Sequence, residues 1–310
     1  MNKSKEQNFI SAILYIRNNA DILKNTLETL IKVLDENFVK FEIICVDDSS
    51  TDNSTDIVRN IAKEHNAAIT LITTGFYNGL ERSMTAGIDA AIGDFVFEFD
   101  TAYITFEPSV IMDVYWHCLE GFDIVSASNQ MVRTTSKIFY SWFNKFSKTQ
   151  YALVSEDFRI ISRRAINRIH QMSKVVPYRK AMYANCGLKI DNIQYKSKTN
   201  STNYKHEKEN KSFRTKLAID AFILFTDVAY KFSFGLSMIM LLMSLFAIIY
   251  TITIFIMGSP VIGWTTTMLL MSVGFFGIFA ILTLIIKYLS MILNLVFEKR
   301  KYIIENIEKL

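Results

Sequence analysis

Apolar and polar residues follow two different periods along the first 130 residues. Five short runs are rich in apolar residues and have the length of buried strands. They are 9–16, 43–46, 68–73, 95–99 and 123–127. Between them, apolar residues recur every three or four positions, as on one face of a helix, over about 21–36, 57–62, 79–91 and 108–118. Strands that alternate with helices predict an α/β domain with a mostly parallel, doubly wound sheet.

The second of these strands ends abruptly in two carboxylates. The apolar run 43–46 stops at Asp47 and Asp48, and turn-forming residues separate this pair from the next helix. In an open α/β sheet, ligands bind at the carboxyl ends of the strands. Carboxylates there can accept hydrogen bonds from a nucleobase or a ribose. Since Asp-rich turns are common, capping of the next helix explains the pair equally well.

The last third of the chain has a different composition. No Asp, Glu, Lys or Arg occurs between Lys231 and Lys287, and Gly-Ser-Pro at 258–260 divides this stretch. As helices, the halves 232–257 and 261–286 would each be about 39 Å long. That length exceeds the ~30 Å hydrocarbon core of a bilayer. The pattern predicts two tilted transmembrane helices joined by a short turn, within residues 232–290.

The charges around this hairpin predict its orientation. Lys231, Lys287 and the basic run 299–301 lie at its outer ends, and the turn has no charge. By the positive-inside rule, both ends face the cytoplasm. We therefore expect a cytosolic domain tethered to the inner face of the plasma membrane, a juxtamembrane or interfacial segment at 216–231 and a cytosolic tail at 291–310.

Two further segments have two interpretations each. Residues 196–216 are rich in lysine, which favours attraction to anionic lipid headgroups or a solvated linker, and these two interpretations are compatible. Residues 137–151 interleave aromatic residues with lysines, which fits either a helix at the membrane interface or a core-packing helix.

The charge and the cysteines of the chain indicate the kind of cellular compartment. The net charge is +4, and the three cysteines, Cys45, Cys118 and Cys186, lie in or near apolar segments. Buried free thiols are expected, as in a reducing compartment. The first apolar run is short, and we expect no cleavable signal peptide.

Four segments follow one another in an order that resembles a known family. They are 11–18 (Ser-Ala-Ile-Leu-Tyr-Ile-Arg-Asn), 46–52 (Val-Asp-Asp-Ser-Ser-Thr-Asp), 86–94 (Ala-Gly-Ile-Asp-Ala-Ala-Ile-Gly-Asp) and 157–164 (Asp-Phe-Arg-Ile-Ile-Ser-Arg-Arg). Together with the two-helix anchor, they resemble family 2 glycosyltransferases of the polyprenyl-phosphate type, such as dolichyl-phosphate mannose synthases and bactoprenol glucosyltransferases.

This resemblance implies a fold, an activity and roles for individual residues. It implies a GT-A domain over residues 1–215, with a Rossmann-like, mostly parallel sheet. The implied activity is inverting hexosyl transfer from a nucleotide-sugar donor to a polyprenyl phosphate acceptor. The implied site residues are Asp48, Asp47, Asn18 and Gly79 for the nucleotide, Asp157 and Asp100 for catalysis, Arg133, Arg159 and Arg163 for phosphate or acceptor contacts, and Asp100 with Glu98 for Mg²⁺ or Mn²⁺.

The chain departs from the family at the metal motif. The family has Asp-x-Asp followed by a Gln, and these positions align with Asp100, Ala102 and Ile104. Because Mg²⁺ prefers hard oxygen ligands, Glu98 is an alternative second carboxylate, and Ala102→Asp should restore the missing one. A catalytically degenerate partner or scaffold in cell-surface glycan assembly is the rival function. Without the resemblance, the Asp157–Arg159 segment is equally explained as a surface ion pair on a strand edge.

The implied partners complete the prediction. They are the nucleotide-sugar donor, the polyprenyl phosphate acceptor and membrane lipids. A homo-oligomer is compatible with the sequence, and we expect no nucleic-acid partner.

Overall fold

A computed structural model describes most of the first 196 residues and the C-terminus. The described ranges are 4–65, 67–130, 140–145, 151–172, 178–196 and 304–310, with scattered helical positions between 232 and 292. The chain divides into two compact units. One comprises residues 1–221 and 299–310, and the other comprises residues 222–298.

Strands and helices alternate strictly in the first part of the larger unit. Their bounds are β1 (Ile10–Ile16), α1 (Ala20–Asn37), β2 (Phe41–Asp47), α2 (Ser54–His65), β3 (Ile69–Thr74), α3 (Leu80–Ala90), β4 (Phe95–Phe99), α4 (Ser109–Leu119) and β5 (Ile124–Asn129). These elements confirm the alternation predicted from the apolar pattern. They are followed by β6 (Phe158–Ser162), α5 (Arg163–Met172), α6 (Arg179–Ala184), β7 (Ile190–Tyr195) and β8 (Ile304–Lys309).

The strands form a single sheet in the order β7-β5-β6-β4-β1-β2-β3-β8. Six of the eight strands that the structure describes run in one direction, which confirms the mostly parallel sheet. Two strands run against them. β6 lies between β4 and β5, and β8 pairs with the free side of β3. Strand β8 lies inside the predicted cytosolic tail 291–310, so part of that tail belongs to the sheet.

Apolar side chains cover both faces of the sheet. One core cluster joins the sheet to α1, α2 and α4, and the other joins it to α3 and α5. Helix α3 lies especially close to the strands at Gly87. A Cβ atom there would come within 2.5 Å of the Ile13 side chain and 3.0 Å of Val46. Only glycine therefore allows α3 to pack this closely against β1 and β2.

Most residues of the predicted membrane segments are not among the described residues. This applies to the juxtamembrane segment 216–231 and to nearly all of the spans 232–257 and 261–286. Of the helices that the structure does describe, none combines the length and the apolar character that a membrane crossing requires.

Candidate active site

Most of the predicted site residues lie along one edge of the sheet. The carboxyl ends of β1 to β4 meet there, and β6 contributes its amino end because it runs in the opposite direction. The predicted residues at this edge are Asn18, Asp47, Asp48, Gly79, Asp100 and Asp157. The topology therefore brings together side chains that are widely separated in the sequence.

Asp48 is fully buried and its carboxylate is already occupied by protein donors. It accepts hydrogen bonds from the Tyr15 hydroxyl (3.0 Å), the Thr74 hydroxyl (3.2 Å) and the backbone N–H groups of Asn78 (2.8 Å) and Gly79 (2.9 Å). A carboxylate has about four acceptor sites, so this set uses them all. In this structure Asp48 holds the loop after β3 in place. The predicted direct contact with a nucleotide would require the exchange of one of these donors.

Asp47 differs from its neighbour. Its Oδ2 accepts a hydrogen bond from the Ser50 N–H at 3.2 Å, while its Oδ1 has no partner among the described residues. Burial raises the pKa of Asp47 above its usual range. Because a buried acceptor without a partner is costly, Asp47 is the member of the pair that has an oxygen left for a ligand.

Gly79 begins α3 with a backbone that other residues rarely adopt. Its φ is 84° and its ψ is 160°, a combination that is essentially restricted to glycine. This conformation directs its N–H to Asp48. Gly79 is therefore required for the loop geometry, and its predicted nucleotide contact stays a prediction.

Asn18 and Arg17 connect the turn after β1 to its neighbours. Asn18 has a φ of 51°, and its side-chain oxygen accepts a hydrogen bond from the Thr51 N–H at 2.8 Å. The guanidinium of Arg17 donates to the backbone oxygen of Asp48 at 2.6 Å and lies 4.1 Å from the centre of the Tyr77 ring. Tyr77 is 38% exposed. A flat polar and aromatic surface of this kind suits a nucleobase.

Two buried arginines define the next part of the edge. Antiparallel pairing of β6 with β4 sets Arg159 opposite Glu98, and Arg179 comes from α6. Each guanidinium bridges Glu98 and Asp100. Arg159 donates to Glu98 at 2.5 Å and to Asp100 at 2.9 Å, and Arg179 donates to the same two carboxylates at 2.9 and 2.7 Å. We call these four residues the arginine cluster.

More charges and a hydroxyl surround the arginine cluster. The Tyr183 hydroxyl donates to the second oxygen of Glu98 at 2.7 Å. Arg179 also pairs with Glu81, and Arg159 pairs with Glu156, which lies 3.5 Å from Lys180. Burial alone would raise the pKa of Asp100, but the two guanidiniums hold that pKa well below its usual range. Asp100 is therefore an ionised, partly buried counter-ion.

This arrangement does not fit the predicted divalent ion. Both oxygens of Asp100 and both oxygens of Glu98 already accept hydrogen bonds, and the Glu98 side chain is completely buried. Ala102, at the position of the missing carboxylate, is fully buried in the core and its backbone oxygen accepts a hydrogen bond from Thr26. These contacts count against ligation of Mg²⁺ or Mn²⁺ by Glu98 and Asp100, which stays a prediction. The burial of Ala102 likewise counts against the expectation that Ala102→Asp restores a ligand, which also stays a prediction.

The described residues contain one other group with metal-ligand chemistry. Glu28, Glu64 and His65 lie together on the surface, near the amino ends of the strands. A groove of about 630 Å³ at that edge includes Glu28 and His65 in its lining. Lys24 pairs with both glutamates, so a protein cation already occupies this group. It lies far from the predicted site, at the opposite edge of the sheet.

Asp157 is half-buried at the amino end of β6. Its backbone N–H donates to Ala127 at 2.9 Å, which fixes its position, and its carboxylate accepts a short hydrogen bond from the Tyr195 hydroxyl. Burial raises the pKa of Asp157, although the hydrogen bond from Tyr195 and the nearby charge of Lys180 oppose this shift. Its predicted catalytic role stays a prediction, and its position suits a ligand at this edge.

The three predicted phosphate-binding arginines have different outcomes. Arg159 is fully buried in the arginine cluster, and only its Nε has no partner among the described residues. This burial counts against a direct phosphate contact, which stays a prediction. Because β6 is antiparallel, Arg163 lies at the opposite edge, where it donates to the backbone oxygens of Ala91 and Gly93. That placement counts against its predicted role, which stays a prediction. Arg133 lies outside the described residues.

Several residues of this site were not predicted from the sequence. They are Arg17, Tyr77, Glu81, Arg179, Lys180, Tyr183 and Tyr195. The adjacent bases at 179–180 were the one local signal, since two cations precede an apolar helical turn. Their carboxylate partners lie about eighty positions away or more in most cases, and no local pattern identifies them.

The aromatic segment 137–151 is described only in part. Residues 140–145 are helical, and residue 151 is also described. The Trp142 side chain is 59% exposed, whereas Phe143 is fully buried. The buried ring fits a core-packing helix and the exposed ring fits a helix at the membrane interface. Both interpretations of this segment therefore stay predictions.

A doubly wound sheet with polar side chains at its carboxyl edge is typical of nucleotide-binding α/β proteins. The sequence profile described as Glycosyl transferase family 2 matches residues 11–169, just over half of the chain. The chain therefore belongs to glycosyl transferase family 2. This finding confirms the family predicted from the four motifs, with its GT-A, Rossmann-like fold.

Individual relatives are more distant. The chain is 27% identical to an uncharacterized glycosyltransferase of Synechocystis sp. over 56% of its length and 57% of the relative's. It is 26% identical to the undecaprenyl-phosphate 4-deoxy-4-formamido-L-arabinose transferase of Proteus mirabilis, over 62% of its length and 61% of the relative's. The chain thus spans less than two thirds of the length of these relatives.

A solved structure is also similar. The mannosyltransferase of Pyrobaculum calidifontis in complex with GDP-Man and Mn²⁺ is 18% identical, with a TM-score of 0.48. The match covers 61% of this chain and 55% of that one.

Proposed function

We propose that this chain is a membrane-anchored, inverting glycosyltransferase. It moves a hexosyl group from a nucleotide-sugar donor to a polyprenyl phosphate at the cytosolic face of the plasma membrane. The observation that carries the proposal is the half-buried carboxylate of Asp157, at the same edge of a family 2 fold as Asp47 and Tyr77. The name of the Proteus mirabilis relative supports a polyprenyl phosphate as the acceptor.

The donor's nucleoside fits the part of the edge formed by β1, β2 and the loop after β3. The exposed ring of Tyr77, fixed by Arg17, offers a stacking surface. The Oδ1 of Asp47, which has no partner among the described residues, can accept a hydrogen bond from a base or ribose donor. Asp48 acts indirectly, because it holds Asn78 and Gly79 in position.

The chemistry requires no strong base. The phosphate oxygen of the acceptor is already anionic at neutral pH and attacks the anomeric carbon of the sugar. The bond from that carbon to the nucleoside diphosphate breaks, and the leaving group keeps the electron pair. A single displacement inverts the anomeric configuration. Asp157 orients the acceptor or its counter-cation, and Lys180 supplies a positive charge close by.

The path of the chain supports a membrane anchor with both ends on one side. Residues 222–298 form a separate unit, and the chain then returns to the catalytic unit, where β8 pairs with β3. If residues 222–298 cross a membrane, they must therefore cross it an even number of times. The predicted two-helix hairpin at 232–257 and 261–286 meets this condition, and it brings a lipid acceptor to the same membrane.

One observation favours a second function. The arginine cluster occupies the acidic residues at which the family's metal motif aligns. A chain that had lost its chemistry could retain the fold as a partner or scaffold in cell-surface glycan assembly. A scaffold would form no glycolipid from any donor, whereas the transferase would.

The test is a direct assay of transfer. The full chain, purified in detergent, is incubated with a panel of nucleotide sugars and undecaprenyl phosphate, in EDTA, Mg²⁺ or Mn²⁺, and glycolipid is measured by mass spectrometry. We expect product from one donor and about a hundredfold less from Asp157→Asn, since this residue positions the reactants. Asp35→Asn, at a carboxylate that is 68% exposed, is the matched control and should retain activity. Absence of product with every donor would support the scaffold.

A further inference from the structure

The arginine cluster has the charge and the position of a metal site. Two guanidiniums together carry the same charge of +2 as one divalent ion. Each of them contacts both Glu98 and Asp100, so the two cations share the same pair of carboxylates. Arginine stays ionised at every physiological pH, and its planar fork matches carboxylate oxygens.

We propose that Arg159 and Arg179 take the place of a divalent metal ion beside Asp100, so that this site works without bound metal. The part of this proposal that concerns the donor rests on the proposed function. The part that concerns the ion does not, because it depends only on contacts within the chain.

Three features oppose the binding of an additional divalent ion at this position. The acceptor sites of Asp100 that face the cluster are filled by guanidinium donors, and its side chain is only 12% exposed. Glu98 has no exposed oxygen and receives a third donor from Tyr183. An ion next to Asp100 would also lie beside two fixed cations, which it could not displace without leaving buried charges unpaired.

Built-in cations change how the site should respond to chelators. The arginines are held by a strand of the sheet and by α6, and Arg179 is further fixed by Glu81 through its Nε at 3.0 Å. Their contacts with the carboxylates form when the chain folds, and EDTA cannot remove these cations. The affinity for a nucleoside diphosphate should therefore be the same with and without a divalent ion.

The primary test measures the metal itself. Mn²⁺ is titrated into the full chain in detergent, and the free ion is followed by electron paramagnetic resonance. We expect the wild type and Asp100→Asn to give the same weak, nonspecific binding. Saturable binding of Mn²⁺ by the wild type that is lost in Asp100→Asn would overturn the proposal. This measurement is decisive whether or not the protein has transferase activity.

A variant tests whether a guanidinium is what excludes the ion. Arg179→Met frees oxygens of Glu81, Glu98 and Asp100, and it should bind Mn²⁺ at least tenfold more tightly than the wild type. Arg164→Met is the matched control, since it also removes a guanidinium–carboxylate pair, with Asp123, but outside the cluster. A folded Arg179→Met variant that binds no more Mn²⁺ than Arg164→Met would contradict the proposal. If the variant does not fold, the wild-type titration still decides.

The donor arm uses UDP and GDP as probes. Calorimetry in EDTA and in 5-fold excess Mn²⁺ should give nucleotide affinities within about twofold of each other. A loss of more than tenfold in EDTA would overturn the proposal while leaving the proposed transferase intact. Absence of binding by either probe in both conditions would count against the proposed function, and the Mn²⁺ titration would then decide the proposal.

Discussion

Replacement of Asp48 by alanine should mainly lower the stability of the folded protein, because Asp48 contacts other protein groups in this structure. In the native state, the buried carboxylate accepts four hydrogen bonds. The substitution removes the acceptor and leaves the N–H groups of Asn78 and Gly79 buried without a partner. Burial and the negative charge of Asp48 raise the pKa of Tyr15, so the Tyr15 hydroxyl stays protonated and also loses its acceptor.

The magnitude follows from these contacts. An unpaired buried donor costs about 1–3 kcal/mol. The Thr74 hydroxyl retains a second partner, the backbone oxygen of Phe76 at 3.0 Å, so its loss is small. Since losses at one site are not additive, we expect the free energy of unfolding to fall by about 3–5 kcal/mol. In a domain of this size, that corresponds to a melting temperature about 6–20 °C lower.

The assay is thermal unfolding of the full chain in detergent, followed by intrinsic fluorescence. Asp56→Ala is the matched control, because this carboxylate is 71% exposed and forms a surface ion pair with Arg59. Its loss should cost less than about 1 kcal/mol. The reasoning would be refuted if Asp48→Ala melted at the same temperature as Asp56→Ala but no longer bound UDP or GDP. That result would indicate that Asp48 contacts the nucleotide directly.

Three further predictions concern the core, the pH dependence and the membrane. Ala102→Asp should destabilise the protein by about 3–5 kcal/mol in denaturant titrations and bind no additional Mn²⁺, because it buries an unpaired charge; a stable variant would contradict this. Since burial raises the pKa of Asp157, activity that needs its ionised form should rise with pH through a midpoint above the ~3.9 of a free aspartate. This rise of activity with pH should persist in Asp35→Asn and be absent in Asp157→Asn. Ser259→Cys should react with an impermeant thiol reagent in intact cells. The background should be low because the native cysteines are buried. Labelling only after lysis would contradict the predicted topology.

The alternation of strands and helices was predictable because it depends on local chemistry. Each strand from β1 to β5 is a short apolar run, and each helix between them repeats apolar residues at the helical period. The position of Asp47 and Asp48 at a strand end was predictable for the same reason. A parallel sheet buried on both faces then brings these strand ends to one edge.

The orientation of β6 and the docking of β8 could not be predicted in this way. Residues 158–162 form a strand in isolation, but the choice of an antiparallel position between β4 and β5 depends on partners far away in the sequence. β8 is rich in charged residues and follows a long uncharged stretch, so its pattern indicated a polar tail. It is held by pairing with β3 and by Arg59, whose guanidinium bridges both oxygens of Glu308 at 2.8 Å.

The sequence by itself determined that this chain is an α/β protein with a mostly parallel sheet and that acids lie at its carboxyl edge. Only the tertiary structure decided what those acids do. Asp48 and Asp47 are adjacent and chemically identical, yet Asp48 accepts hydrogen bonds from four donors, whereas one oxygen of Asp47 has no partner in the part of the chain that the structure describes. Asp100 matches a metal motif in the sequence, but two arginines 59 and 79 positions away occupy it. The reason is physical, because the role of a buried charge depends on the groups that surround it in space, and the folded chain alone brings those groups together.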